Sequence, residues 1–276
     1  MTPDINCAKE YFSKNIASNG KFAEYSAAYA VTNEDIRHAL DFLPKDTENA
    51  LTVAGSGDHP MFTKIYGAKH VDTFDVSCNA KLVMDIKTVA LHALKYAEYC
   101  KFLNNIFISK DLLTVEHMPE IMEKLPLSER NYIESMHKYK LFGHGLHPDS
   151  YCGKNNPLPS RIEYRKMRDS INKPFNFIWS DIANLHTKLD KTYDFIHLSN
   201  ILDYIKEQKD LMILSNLMKH THIGSVICFE SFHYCSIPER LFMDTSHCRF
   251  LMNKNQIWAY KRPTMDETLH VMQRIR

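Results

Sequence analysis

Hydrophobic positions along the chain fall into short apolar runs, bounded by charge or turn residues and separated by helix-length stretches. That is the pattern of buried parallel strands alternating with helices. The runs lie at residues 50–54 (ALTVA), 70–76 (HVDTFDV), 175–179 (FNFIW), 193–198 (YDFIHL) and 225–230 (SVICFE). Two more, at 248–252 and 256–261, enclose the turn-like Asn253-Lys254-Asn255 and predict a C-terminal antiparallel hairpin. Together they predict an α/β protein with a mostly parallel, Rossmann-like sheet covered on both faces. Residues 1–48 read as helical, with Asn33 as N-cap before Glu34-Asp35-Ile36 and a stop near Pro44. They are expected to form a helical lid over a core domain spanning 49–276. Residues 101–174 are far more than a strand crossover needs and predict a helical insertion, irregular over 143–159 where Gly, Pro, Asn and His accumulate.

The first strand runs into Gly55-Ser56-Gly57-Asp58. Glycine permits a tight turn and a close backbone approach by a ligand, and a helix opening after the turn presents free N–H groups to it. Asp75 closes the second strand in Phe74-Asp75-Val76, where a carboxylate reaches the hydroxyls of a cofactor ribose. A dinucleotide fingerprint requires a third glycine three residues after the second; this chain has Pro60 there, so a pyrophosphate is disfavoured. The polar side chains Ser56, Asp58 and His59 suit the methionine end of S-adenosyl-L-methionine. A tight turn followed by a solvated aspartate is the bland alternative.

Ligands of open α/β sheets lie at the carboxyl ends of strands. Asp181 there is a candidate acceptor for the adenine amino group and Ile182 a candidate cover for its ring; a helix N-cap at Ser180 or Asp181 explains the same residues equally well. Ser199 and Asn200 follow the fourth strand and face the expected reaction centre, with Asp203 and Tyr204 opening the next helix. Capping explains Ser199 and Asp203, but explains Asn200 and Tyr204 less well.

Composition narrows the classes. A net charge of +1 over 276 residues gives no global field toward nucleic acid or an anionic membrane. No apolar stretch approaches the ~20 residues needed to span a bilayer, and the N-terminus does not read as a signal peptide. Seven scattered cysteines without a Cys-x-x-Cys pair suit reduced thiols, and a cytoplasmic location is expected. His144, His147 and Cys152 lack a fourth ligand, so no metal site is expected. Arg161, Arg165 and Arg168 fall on one helical face that suits an acidic group on an acceptor, though a solvated charged face is the simpler reading.

On Leu51-Thr52-Val53-Ala54-Gly55-Ser56-Gly57-Asp58, on residues 67–72 leading to Phe74-Asp75-Val76, and on Leu198-Ser199-Asn200-Ile201-Leu202-Asp203-Tyr204, the chain resembles a transferase family. That family is the S-adenosylmethionine:diacylglycerol 3-amino-3-carboxypropyltransferases, which have a class I methyltransferase-like fold. The loop through Pro60-Met61 is also similar to that of nicotianamine-synthase-like enzymes. Val53 stands where ordinary methyltransferases carry an acid, and His59 where they carry a third glycine. The resemblance implies transfer of the 3-amino-3-carboxypropyl group to a small-molecule or lipid acceptor, releasing 5′-methylthioadenosine. It places the cofactor against Gly55, Ser56, Gly57, Asp58, Asp75, Val76, Asp181, Ile182, Ser199 and Asn200. The catalytic candidates are Tyr25 (or Tyr29), Asp58, His59, Asn200 and Tyr204. A methyltransferase using the same pocket, and a non-catalytic cofactor-binding protein, are the alternatives.

Overall fold

The computed structural model describes residues 4–15, 24–25, 31–32, 34, 36–108, 111–139, 158–205, 209–231, 255–261 and 268–276. Their strands are β1 (Asn49–Val53), β2 (His70–Asp75), β3 (Asn176–Trp179), β4 (Tyr193–His197), β5 (Thr221–Ser231), β6 (Asn255–Lys261) and β7 (Thr268–Arg274). They form one sheet in the order β3-β2-β1-β4-β5-β7-β6. Pairing is parallel from β3 to β5, and antiparallel between β5 and β7 and between β7 and β6. This is the Rossmann-like arrangement of class I methyltransferases. The chain leaves β1 toward β2 and β3 and returns to the other side at β4, so the order reverses between β1 and β4. A crevice opens at such a reversal, beyond the carboxyl ends of the strands.

The helices are α1 (Ile5–Asn15), α2 (Ile36–Leu40), α3 (Asp58–Ile65), α4 (Cys78–Ala93), α5 (Tyr96–Ile108), α6 (Met118–Met122), α7 (Leu127–Lys138), α8 (Arg161–Ser170) and α9 (Lys209–Leu217). Alternation along the strands divides the core in two. Ala50, Phe195, Val226, Cys228, Leu269 and Val271 face a layer built from α2 to α8. Leu51, Val53, Phe74, Ile196, Ile227 and Met272 face the other side, which α9 covers with Leu211, Ile213, Leu214 and Leu217. Tyr99, Phe102, Leu112, Met118, Tyr132 and Tyr164 share the first core, so the described parts of the long segment between β2 and β3 join the helical layer on that side of the sheet. A bidentate contact from Arg37 Nε and Nη2 to Glu163 (2.8 and 3.0 Å) ties α2 to α8, whose start is closed by a Ser160–Glu163 capping box.

The first five strands lie where the apolar runs predict them. Residues 256–261 lie in β6, whose antiparallel partner is β7; residues 248–252, expected as the other strand of the hairpin, lie outside the described residues. β7 is buried on both faces, Leu269 and Val271 toward one core and Met272 toward the other. Asn33, Asp35, Tyr29 and the trio His144, His147 and Cys152 also lie outside the described residues. No helix among the described residues is long and apolar enough to cross a membrane.

Candidate functional site

The loop after β1 turns through two left-handed glycines, Gly55 (φ +50°) and Gly57 (φ +82°). At Gly57 a side chain is barred twice, by its φ and by Met84, whose Cα would lie 2.9 Å from an added Cβ. The loop is anchored from beneath by a buried ion pair. Lys87, in the middle of α4 and fully buried, donates to Asp58 Oδ1 (2.7 Å) and to the Ser56 carbonyl (2.9 Å). Asp58 Oδ2 accepts from Ser56 Oγ (2.7 Å) and from the Thr32 backbone N–H (2.8 Å). Asp58 thus shapes the loop and ties it to the N-terminal segment. Its carboxylate is committed to these partners, which argues against its expected part as a general base.

Asp75 ends β2 beside this loop. Its Oδ2 accepts from Gly55 N–H (3.0 Å) and its Oδ1 from Ser77 N–H (2.9 Å). Each oxygen keeps a second lone pair for a ligand hydroxyl. Desolvation raises its pKa to about 6, against the lowering effect of those two N–H groups. A carboxylate held against burial at a strand end is a candidate functional position. The Val76 carbonyl accepts from Trp179 Nε1 (2.8 Å).

At the carboxyl end of β4 three buried ionisable side chains meet. His59, on the first turn of α3, contacts Glu34 Oε2 through Nε2 at 2.9 Å. The other Glu34 oxygen accepts from the Ser199 hydroxyl. The rings of His59 and His197 are 5.0 Å apart, and one donor atom from each of Glu34, His59 and His197 lies within 4.8 Å of the others. Burial works to raise the Glu34 pKa, but the His59 hydrogen bond, the charges of His59 and His197 and the Ser199 hydroxyl outweigh it, and the value falls below the ordinary carboxylate range. His59 Nδ1 is buried without a hydrogen-bond partner among the described residues and lies on the Gly55 side of the ring, 3.7 Å from where a Cβ of that glycine would be. In the tautomer whose ring proton lies on Nε2, toward Glu34, Nδ1 carries a lone pair.

The structure therefore brings Gly55, Ser56, Gly57, Asp58, His59, Asp75 and Ser199 to one end of the sheet. Ser199 sits at φ +56°, a strained position for a residue with a side chain. Asn200 follows it as the cap of a short 3₁₀ turn, Ile201–Tyr204, and its Oδ1 accepts weakly from Ser199 Oγ (3.4 Å). Tyr204, at the far end of that turn, is 55% exposed and stands apart from the buried cluster. Asp181 accepts from the Asn184 backbone N–H (2.9 Å) and side-chain amide (2.8 Å), closing a turn ahead of a short 3₁₀ helix whose N-cap is Asn184; Ile182 packs on the core beneath. Tyr25 is buried, with its hydroxyl accepting from Asp4 N–H (3.4 Å) and its carbonyl accepting from Asn79 at the start of α4. On α8, Arg161 and Arg168 lie over Tyr96 and Tyr164, and Arg165 is exposed.

Sequence reasoning missed Glu34, Lys87 and His197. Two of these left a signal. Lys87 lies on the same helical stripe as Val83 and Leu91, and a lysine on a buried stripe needs an acid. His197 falls two residues after Phe195, on the same core face of β4. Glu34 left none, because its partners are 25 and 165 residues away.

No family model matches the chain, and no curated protein matches it. Solved structures similar to it include an rRNA methylase from Streptococcus thermophilus (9% identity, TM-score 0.43, 88% of this chain and 98% of that one). The ribosomal protein L11 methylase from Lactobacillus delbrueckii subsp. bulgaricus is similar at 11% identity (TM-score 0.43, 87% and 77%). N-methyltransferase NodS from Bradyrhizobium japonicum in complex with S-adenosyl-l-homocysteine is similar at 9% identity (TM-score 0.42, 98% and 99%). Likeness this slight decides neither the fold nor the chemistry; the fold rests on the observed strand order.

Proposed function

We propose that this chain is an S-adenosylmethionine-dependent transferase whose cofactor lies across the carboxyl ends of β1, β2 and β3. The observation that carries the reading is the pairing of the doubly left-handed glycine loop with the desolvated Asp75, which accepts from the loop's own Gly55 N–H. The residues fit the group. Asp75 offers open lone pairs to two ribose hydroxyls, the Gly55–Gly57 backbone admits the methionine end closely, and Ile182 with Asp181 flanks the adenine position. When bound, the cofactor supplies a sulfonium with activated neighbouring carbons. The chain's part is to hold one of those carbons in line with an acceptor and to exclude water. His59, oriented by Glu34 and with Nδ1 on the side of the loop, is the group that takes a proton from an alcohol or ammonium acceptor. Ser199 and Asn200 border the same place.

Methyl transfer is the leading reading, because the sheet has the strand order of methyltransferases, including the antiparallel β7 inserted between β5 and β6. Transfer of the 3-amino-3-carboxypropyl group is the second reading. It is favoured by the Leu198–Tyr204 run and by Val53 and His59, which depart from the ordinary methyltransferase pattern. The acceptor is a small molecule or lipid, and an acidic group on it would meet Arg165 between Arg161 and Arg168. Incubation with S-adenosylmethionine and candidate acceptors, followed by identification of the nucleoside, tests both readings. S-adenosylhomocysteine is expected. 5′-Methylthioadenosine would transfer the assignment to the second reading, and a thermal shift with cofactor but no turnover would leave a binding protein.

A further inference from the structure

The cluster Glu34–His59–His197 serves the proposed transfer only in part, since nothing in that chemistry requires His197. All three side chains are at least 96% buried. Among the described residues Glu34 forms no ion pair with lysine or arginine, and His59 is its one ion-pair partner. Asp58 differs, being matched by Lys87 at 2.7 Å, and so does Asp72, matched by Lys191 at 2.8 Å. A buried carboxylate needs a positive partner, and here the groups around it are imidazoles and a hydroxyl. Thr52, adjacent to His197 in the β1–β4 pairing, has its hydroxyl buried with no hydrogen-bond partner among the described residues.

We propose that Glu34, His59 and His197 form a binding site for one first-row divalent cation of the zinc or iron(II) class. Two imidazoles and one carboxylate are a donor set that such ions take with coordination positions left open. The 2.9 Å contact between His59 Nε2 and Glu34 Oε2 is close to the ~3.0 Å between neighbouring ligands of an octahedral ion at about 2.1 Å, the geometry of iron(II); tetrahedral zinc needs the two to part to about 3.4 Å. Donors up to 4.8 Å apart close by about half an ångström to reach ~4.2 Å, the span of two ligands on opposite sides of such an ion. Ser199, donating to the second Glu34 oxygen, orients the carboxylate as outer-shell partners do. The ion takes the place of the proton at His59 Nε2, the ring keeping its one N–H at Nδ1, and neutralises the buried carboxylate. With the ion bound His59 is a ligand, and its part as proton acceptor belongs to the ion-free protein. Coordination positions beyond these three donors are left for water or for an oxygen or nitrogen of a ligand. The site does not depend on the proposed cofactor, because binding of the ion alone is what identifies it.

The test uses the full-length protein, stripped with chelator and titrated without S-adenosylmethionine with Zn²⁺, Co²⁺, Mn²⁺ and, under anaerobic conditions, Fe²⁺. One ion per chain is expected by calorimetry for Zn²⁺ or Fe²⁺. Co²⁺ is expected to give visible d–d bands and an X-ray absorption signature of two imidazoles. Glu34→Gln and His197→Gln should each weaken binding at least tenfold, while Asp75→Asn leaves it unchanged. Metal should raise the melting temperature of the wild type and not of the two variants. Among the described residues the surface histidines His137 and His222, each beside an acid, are competing sites, and His144 with His147 is another in the sequence, so binding that survives both substitutions overturns the proposal, as does the absence of stoichiometric binding. If the variants do not fold, the wild-type cobalt signature decides: two imidazoles at one ion support the site, and none overturns it.

Discussion

Replacing Lys87 with methionine keeps the length of a fully buried side chain while deleting its charge. Asp58, 4% exposed, then keeps a carboxylate with no cation. Breaking a buried pair from one side costs about 3–5 kcal/mol, because the remaining ion is uncompensated in a medium of low polarisability. The lost bond to the Ser56 carbonyl acts in the same direction. At roughly 2–4 °C per kcal/mol for a domain of this size class, the melting temperature falls on the order of 10 °C. Urea unfolding followed by circular dichroism measures the loss directly. The double variant Lys87→Met/Asp58→Leu removes the orphaned charge and should recover at least half of it, although Ser56 and Thr32 still lose an acceptor. Cofactor affinity should not recover with stability, since the glycine loop has lost its anchor. If Lys87→Met alone costs less than about 1 kcal/mol, Asp58 is solvated and the idea of a buried anchor is wrong.

The two glycines of the loop should respond unequally. Gly55→Ala meets only the penalty of a left-handed backbone, about 1–2 kcal/mol, whereas Gly57→Ala also drives a methyl onto the Met84 backbone and should cost measurably more in urea titrations. Equal losses would mean the helix shifts freely. Asp75 binds its proton more tightly in the folded chain, with a pKa near 6 against an ordinary 3.8, so its ionised form weighs against the fold above that pH and the strain is relieved as pH falls. Ribose hydroxyls prefer the ionised acceptor, so the Kd for S-adenosylmethionine should rise about tenfold per pH unit below 6, and Asp75→Asn should flatten that slope while weakening binding throughout. Ser160→Ala, at the start of α8, should cost about 1 kcal/mol in a thermal melt, because the capping box loses the acceptor for the Glu163 N–H. Arg165→Glu should raise the acceptor KM with kcat unchanged if an acidic group docks on α8, and an unchanged KM would remove that docking face.

The sheet was legible because its signals are local. A buried parallel strand is a short apolar run, and β1 to β5 each contain one. β7 hid because residues on both of its faces are buried while His270 interrupts the apolar run; that histidine lies against Phe229 and Ser231 with its pKa pushed down to about 4 by desolvation. The glycine loop and Asp75 were legible because spacing alone relates them. Glu34 was not. In sequence it reads as an acid in the first turn of a solvated helix, and only the return of β4 beside β1 makes it the centre of a buried cluster.

The same contrast separates scaffold from site. Asp58 and Asp72 are buried acids whose partners are complete: Lys87, Ser56 and Thr32 for the first, Lys191, Tyr193 and Asn176 for the second. Such networks hold elements in register and ask for nothing further. At the β1–β4 reversal the balance differs. Asp75 is ionised against its environment, Ser199 is held at a strained φ, and Glu34 faces imidazoles rather than a fixed cation. The first two raise the free energy of the protein alone, and a diol at Asp75 relieves the first; Glu34, whose carboxylate the imidazoles already stabilise, offers its charge with His59 to a cation or an ionising acceptor. The costs concentrate at the one place where the topology opens a crevice, and that coincidence argues for a binding site more strongly than any single motif does.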